Sequence, residues 1–129
     1  MHISIIRILL TALLVALTSS FLYAQDDAPN IYPNLAASLI TQDALVIDVR
    51  SSEEIDETGR LANAEAIPHS QVDAIAALIG QQQNRAVVLY CGSGRRAGRV
   101  INALRERGYG GGVNAGGYDD LAAALSSSE

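Results

Sequence analysis

The sequence predicts an α/β domain, with a central, mostly parallel sheet of about five short strands flanked by helices. Three observations predict it. Ala44–Val49 (ALVIDV) and Ala86–Tyr90 (AVVLY) are short, nearly continuous apolar runs, the pattern of strands covered on both faces. Stretches with apolar residues at helical spacing follow the strand candidates. Gly80 and Gly108 stand where those helices would stop.

Residues 1–24 read as a secretory leader. His2 and Arg7 form a weakly basic start, Ile8–Leu17 an apolar run broken only by Thr11, and Ala24 a cleavage point, with Leu22 bulkier than the ideal two positions earlier. An uncleaved anchor competes, because Ile8–Gln25 is 18 residues without a charge, close to the length that spans a bilayer. The strongly apolar part is only ten residues long, within the range of a removable leader. The expectation is export, cleavage after Ala24, a periplasmic location and no stable membrane contact afterwards.

Residues 25–32 form a polar, proline-containing linker, and the domain spans 33–125. Pro33–Ile40 is a short helix with proline at its start, where a missing N–H costs nothing. Ala44–Val49 is the first strand. Ser51–Asn63, polar and acidic, is a loop or a short exposed helix. Ala64–Pro68 is a brief strand. Ser70 is the expected cap of a helix carrying Val72, Ile75, Ala76 and Ile79 on one face. Ala86–Tyr90 is the second strong strand, and Cys91–Arg96 (CGSGRR) is a glycine-rich turn. The next helix has Ala97, Val100, Ile101 and Leu104 on one face and Arg99, Arg105, Glu106 and Arg107 on the other. Gly110–Asn114 is a last strand, Ala115–Gly117 a turn and Tyr118–Leu125 a final helix. Residues 126–129 are an end expected to fray.

Composition narrows the function. The 129 residues contain one cysteine, no tryptophan and no lysine, and nine arginines face 14 acidic residues for a net charge of −5. Without Met1–Ala24 the chain has 105 residues and a net charge of −6. One domain is expected from the length. A single cysteine excludes an internal disulfide framework, a Cys-x-x-Cys redox pair and a multi-cysteine zinc site. A net-negative surface argues against nucleic-acid binding. The acidic run Glu53, Glu54, Asp56 and Glu57 lacks metal-ligand spacing and reads as a solvated loop. Asp119 and Asp120 suit the first turn of the last helix.

The informative segment is Val87–Leu104. A buried strand ends in Cys91, a tight loop with Gly92 and Gly94 follows, and a helix begins at about Arg95. Ligands of open α/β sheets bind at the carboxyl ends of strands. Glycines let backbone N–H groups converge without side-chain obstruction, and a helix N-terminus adds unsatisfied N–H groups and a positive dipole end. Together they form an anion cradle with a sulfur at its floor, which lowers a thiol pKa and populates the nucleophilic thiolate. A cysteine at a strand end is often only a small hydrophobe, but this context favours chemistry. Cysteine phosphatases need an arginine six positions after the cysteine. That position is Ala97 here, so phosphate chemistry is not expected.

Cys91-Gly92-Ser93-Gly94-Arg95-Arg96-Ala97 resembles the Cys-x-x-Gly-x-Arg-Ser/Ala loop of rhodanese-type sulfurtransferases. Leu45–Arg50 (LVIDVR) resembles that family's first strand, Gly59–Pro68 (GRLANAEAIP) its Gly-His-Ile-x-Gly-Ala-x-Asn-Ile-Pro segment, and Gly108–Tyr118 its Gly-Tyr…Leu-x-Gly-Gly ending. Four motifs in order cover Pro33–Leu125. An exported single-domain chain with Asn-Ala-Gly-Gly near its end resembles the phage-shock-protein E type. Arg60, Asn63, Ala66 and Leu121 depart from the usual histidine, glycine, asparagine and tryptophan.

The resemblance implies a rhodanese-like fold and transfer of sulfane sulfur from thiosulfate to cyanide or a thiol through a Cys91 persulfide. Gly92, Ser93, Gly94, Arg95 and Arg96 are the expected substrate-binding residues. Arg96 is expected to be the more structural arginine, tied to Asp48 or another carboxylate, and Arg95 the more exposed. Asp48 and Arg50 are the expected supporting pair, with a solvated strand end as the alternative, and His69 is incidental. No metal or organic cofactor is implied. The expected partners are a small anionic sulfur donor and a thiol or cyanide acceptor, and the expected state is a monomer. A non-catalytic persulfide carrier or anion-binding interaction module is the competing function.

Overall fold

The computed structural model describes residues 30–129. The expected leader, residues 1–24, and the first part of the linker lie outside the described residues. Five helices and four strands follow in order: α1 (Pro33–Thr41), β1 (Leu45–Asp48), α2 (Ser52–Thr58), β2 (Ala64–Ala66), α3 (Val72–Ile79), β3 (Val87–Cys91), α4 (Arg95–Glu106), β4 (Gly112–Gly117) and α5 (Tyr118–Ser127). The strands form one all-parallel sheet in the order β2-β1-β3-β4.

The expected α/β class holds, with four strands among the described residues instead of about five. Each of the four segments read as a strand forms one.

Side-chain alternation along the strands sends their apolar residues to two separate cores. Ile47 and Val49, with Val87, Leu89 and Cys91, meet Ile75 and Ile79 of α3 and Ala97, Val100, Ile101 and Leu104 of α4. Val46, Val88 and Tyr90 face the other way, toward Ala36 of α1, Leu121 of α5 and Ala115. All five residues of β3 are buried, as an inner strand covered by helices on both faces requires.

Of the two readings of Ser51–Asn63, the short exposed helix holds, because Ser51 and Glu54 form a capping box at its start. Two local expectations are resolved differently. Helix α3 begins two residues after Ser70. Gln71 holds its N-cap position without a side-chain cap, after a turn in which the Gln71 N–H donates to the Pro68 carbonyl. Ala115–Gly117 is not a turn but the end of β4, whose Gly117 pairs with Cys91 and directly precedes α5. Those residues are buried, so sheet pairing satisfies backbone groups that a turn would leave in the core.

Candidate active site

Cys91 ends the inner strand β3, and α4 starts four residues later. The turn between them depends on Gly94, whose φ of 90° and ψ of −12° lie in the left-handed region. A side chain there would be strained by conformation and by space, since its Cβ would lie 2.8 Å from Ile31 Cδ1 and 3.1 Å from the Gly116 Cα. Gly117 is required for a different reason. Its α-carbon crosses the loop so closely that a Cβ would stand 2.5 Å from the Gly92 carbonyl oxygen.

This turn wraps main chain around the sulfur. The Gly94 N–H donates to Cys91 Sγ at 3.0 Å. Burial pushes the thiol pKa up, but hydrogen bonds from the N–H groups of Ala97, Ser93, Gly94 and Arg96 outweigh it and hold the thiol below its ordinary value. Cys91 is fully buried yet biased toward thiolate. His69 is exposed, and its backbone N–H donates to the Val49 carbonyl.

The two arginines diverge. Arg95 is exposed. Arg96 reaches α2, where its guanidinium makes a two-pronged pair with Glu54 at 2.5 and 2.8 Å. The hydrogen bond to Glu54 raises the Arg96 pKa most; burial opposes it, and the charges of Glu54 and Cys91 reinforce it. The same bond holds the Glu54 carboxyl at about 2, against its partial burial.

Asp48 and Arg50 are not a solvated pair. They are 0 % and 3 % exposed, and Asp48 accepts hydrogen bonds from the Arg50 backbone N–H and guanidinium at 2.7–3.1 Å. Arg50 continues to Thr58 Oγ1 and the Gly59 carbonyl, with its guanidinium 4.5 Å from the Tyr118 ring centre. The pair joins the end of β1 to the end of α2 and the start of α5. The end of α2 that it holds belongs to the helix that carries Glu54, the partner of Arg96.

The sulfur cradle thus uses Ser93, Gly94 and Arg96 of the expected segment, and adds Ala97, which lay outside it. Glu54 was the other residue missed, read only as part of an acidic run. Its signal in the sequence was Ser51-x-x-Glu54, which marks a helix start and therefore a fixed carboxylate.

The structure is a parallel α/β domain whose lone thiol closes an inner strand and lies under a helix N-terminus. This chain belongs to the rhodanese-like domain family, whose description matches residues 33–124. Among solved structures it is similar to the human single-domain sulfurtransferase TSTD1, with 27% identity and a TM-score of 0.56 over 76% of this chain and 97% of that one. It is similar to a rhodanese from E. coli solved with anions, with 32% identity and a TM-score of 0.52 over 61% of this chain and 92% of that one. Protein hp1203 from Helicobacter pylori is similar at 30% identity, with a TM-score of 0.55 over 64% of this chain and 74% of that one. No curated protein matches the chain.

Proposed function

We propose that this chain is a thiosulfate sulfurtransferase of the phage-shock-protein E type, acting in the periplasm after removal of residues 1–24. The observation that carries the reading is Cys91 Sγ at the start of α4, accepting the Gly94 N–H at 3.0 Å.

The Cys91 thiolate attacks the outer sulfur of thiosulfate. A Cys91 Sγ–S bond forms, the bond between the two sulfurs of thiosulfate breaks, and sulfite leaves with the electron pair. The persulfide is again an anion, and the loop N–H groups stabilise it as an oxyanion hole would. A thiolate, or cyanide in an assay, then attacks the outer sulfur and returns Cys91 to thiolate. This is double displacement with ping-pong kinetics.

Three features support thiosulfate as donor. A fully buried sulfur suits a slim terminal sulfur rather than a bulky electrophile. Arg95 is exposed at the loop to meet the sulfonate end. The relatives include a sulfurtransferase and a rhodanese solved with anions. The acceptor in the cell is a thiol, the chain acts as a monomer, and no metal or organic cofactor takes part.

Thiosulfate should add the mass of one sulfur atom at Cys91, and cyanide should remove it as thiocyanate. Cys91→Ser should abolish both and leave the circular dichroism spectrum unchanged. Turnover retained in Cys91→Ser would end this reading. Loading that proceeds once without turnover would assign the chain as a persulfide carrier instead.

A further inference from the structure

We propose that Asn114, on strand β4, is a positioning residue for the Cys91 thiolate: its side chain clamps the left-handed turn at Gly94 and so keeps the loop N–H groups aimed at the sulfur. The proposal rests on the reading of Cys91 as a reactive thiolate but not on the identity of the sulfur donor.

Asn114 is 4 % exposed and lies opposite Leu89, two residues before Cys91, in the β3–β4 register. Its Nδ2 donates to the Gly94 carbonyl at 2.9 Å, and its Oδ1 accepts from the Gly116 N–H at 3.0 Å. Its own carbonyl accepts from the Tyr32 N–H at 2.8 Å. A buried amide is costly unless its bonds are made, and an apolar side chain would fill an inner strand position at lower cost. The amide is therefore placed for what it bonds.

What it bonds is the glycine whose left-handed turn shapes the loop. Glycine explores more backbone conformations than any other residue, yet the Gly94 N–H must stay 3.0 Å from Sγ. The Gly94 carbonyl already accepts the Gly98 N–H, within the first turn of α4. Asn114 adds a second donor from outside the helix. Because a peptide unit is planar, a second anchor on that carbonyl restrains the whole Gly94–Arg95 peptide and with it the turn whose Gly94 N–H meets Sγ. Ile31, against the α-carbons of Gly94 and Gly116, closes the outer side. The charged groups around the loop are Arg95 and Arg96 from α4, Glu54 from α2 and Asp120 from α5. None of them bonds Asn114, so substitution there changes the clamp without changing the charges.

The test is the pH dependence of Cys91 alkylation by iodoacetamide, with urea unfolding measured on the same samples. Asn114→Ala and Asn114→Leu should each raise the alkylation midpoint by about one pH unit and lower kcat for sulfur transfer about tenfold, the equivalent of one lost charge-directed hydrogen bond. Leu121→Ala removes buried apolar contacts on the far face of the sheet; it should unfold at lower urea yet keep the wild-type midpoint. In the wild-type chain the Asn114 side-chain amide resonances should titrate with the same midpoint as alkylation, a measurement that does not depend on any variant folding. Folded variants with an unmoved midpoint, or amide resonances that ignore the thiol, would overturn the clamp. A wild-type chain that shows the shifts but transfers no sulfur would overturn the sulfurtransferase reading and leave the clamp standing.

Discussion

Two neighbouring arginines, Arg95 and Arg96, have been given separate work by helix geometry. Successive residues on an α-helix point about 100° apart, so two arginines at the start of α4 cannot share a direction. Arg96 turns toward α2 and is held by Glu54, with its side chain 25% exposed. Its charge is largely matched before any substrate arrives. Arg95 is left exposed at the loop, and in the proposed reaction the burden of attracting a sulfonate falls on it and on the backbone N–H groups. Arg95→Ala should lower kcat/KM for thiosulfate about tenfold, as expected for loss of a charge-assisted contact near solvent. The alkylation midpoint of Cys91 should stay close to wild type, because Arg95 is exposed and the groups that lower the thiol pKa most are backbone N–H groups. An unchanged kcat/KM would assign anion binding to the backbone and Arg96. The adjacent arginines were visible in the sequence, and so was the expectation that Arg96 is tied to a carboxylate. The carboxylate itself was not: Asp48 is already saturated by Arg50, and the partner is 42 residues away in α2.

At the scale of elements, the site depends on a short helix that does not belong to its loop. Helix α2 is two turns long and buries no residue. A helix this short is marginal without help, and three anchors fix it: the Ser51–Glu54 capping box, the Arg50 bonds to Thr58 and Gly59, and the Glu54–Arg96 pair. Glu54 serves two of them. Its carboxyl pKa is lowered from 4.5 to about 2, chiefly by the Arg96 hydrogen bond. The stabilisation is therefore fully present above the ordinary carboxylate range and is lost as pH falls from about 4.5 toward about 2. The Glu54 side chain is 39% exposed, so solvent screening limits the pair to roughly 1 kcal/mol or less. Glu54→Gln should flatten that acid-side slope in urea unfolding and lower sulfur transfer severalfold by freeing Arg96. A slope equal to wild type would show that other carboxylates carry the acid response. The Ser-x-x-Glu pattern announced a helix start, but hydropathy could not announce α2, because a helix held by its ends and by ions has no apolar face to read.

At the scale of the molecule, the parallel sheet separates stability from chemistry. Cys91 belongs to the core shared with α3 and α4, whereas Leu121, 0 % exposed, belongs to the core shared with α1. Leu121→Ala should lower the unfolding free energy by about 3 kcal/mol through lost burial and a residual cavity. Sulfur loading under native conditions should continue at the wild-type rate, since the cradle lies across the sheet. A proportional loss of loading would show that the two cores are mechanically one. The division of the chain into strands and helices was legible because apolar runs and helical spacing are local properties. So was the placement of Cys91 between a strand and a helix start, since a strand, two glycines and a helix start within a few residues leave little freedom for the loop. Glu54, Ala97 and Asn114 were not legible as parts of the site. Asn114 looked like the last residue before a turn, and became an inner residue of β4 only because pairing with β3 carries the strand on to Gly117. Short-range patterning sets what a segment becomes, but hydrogen bonds between residues 20 and 42 positions apart exist only once the sheet has brought β4 and α2 to the loop. Local sequence placed the sulfur and the glycines beside it; the assembled fold chose the groups that hold them still.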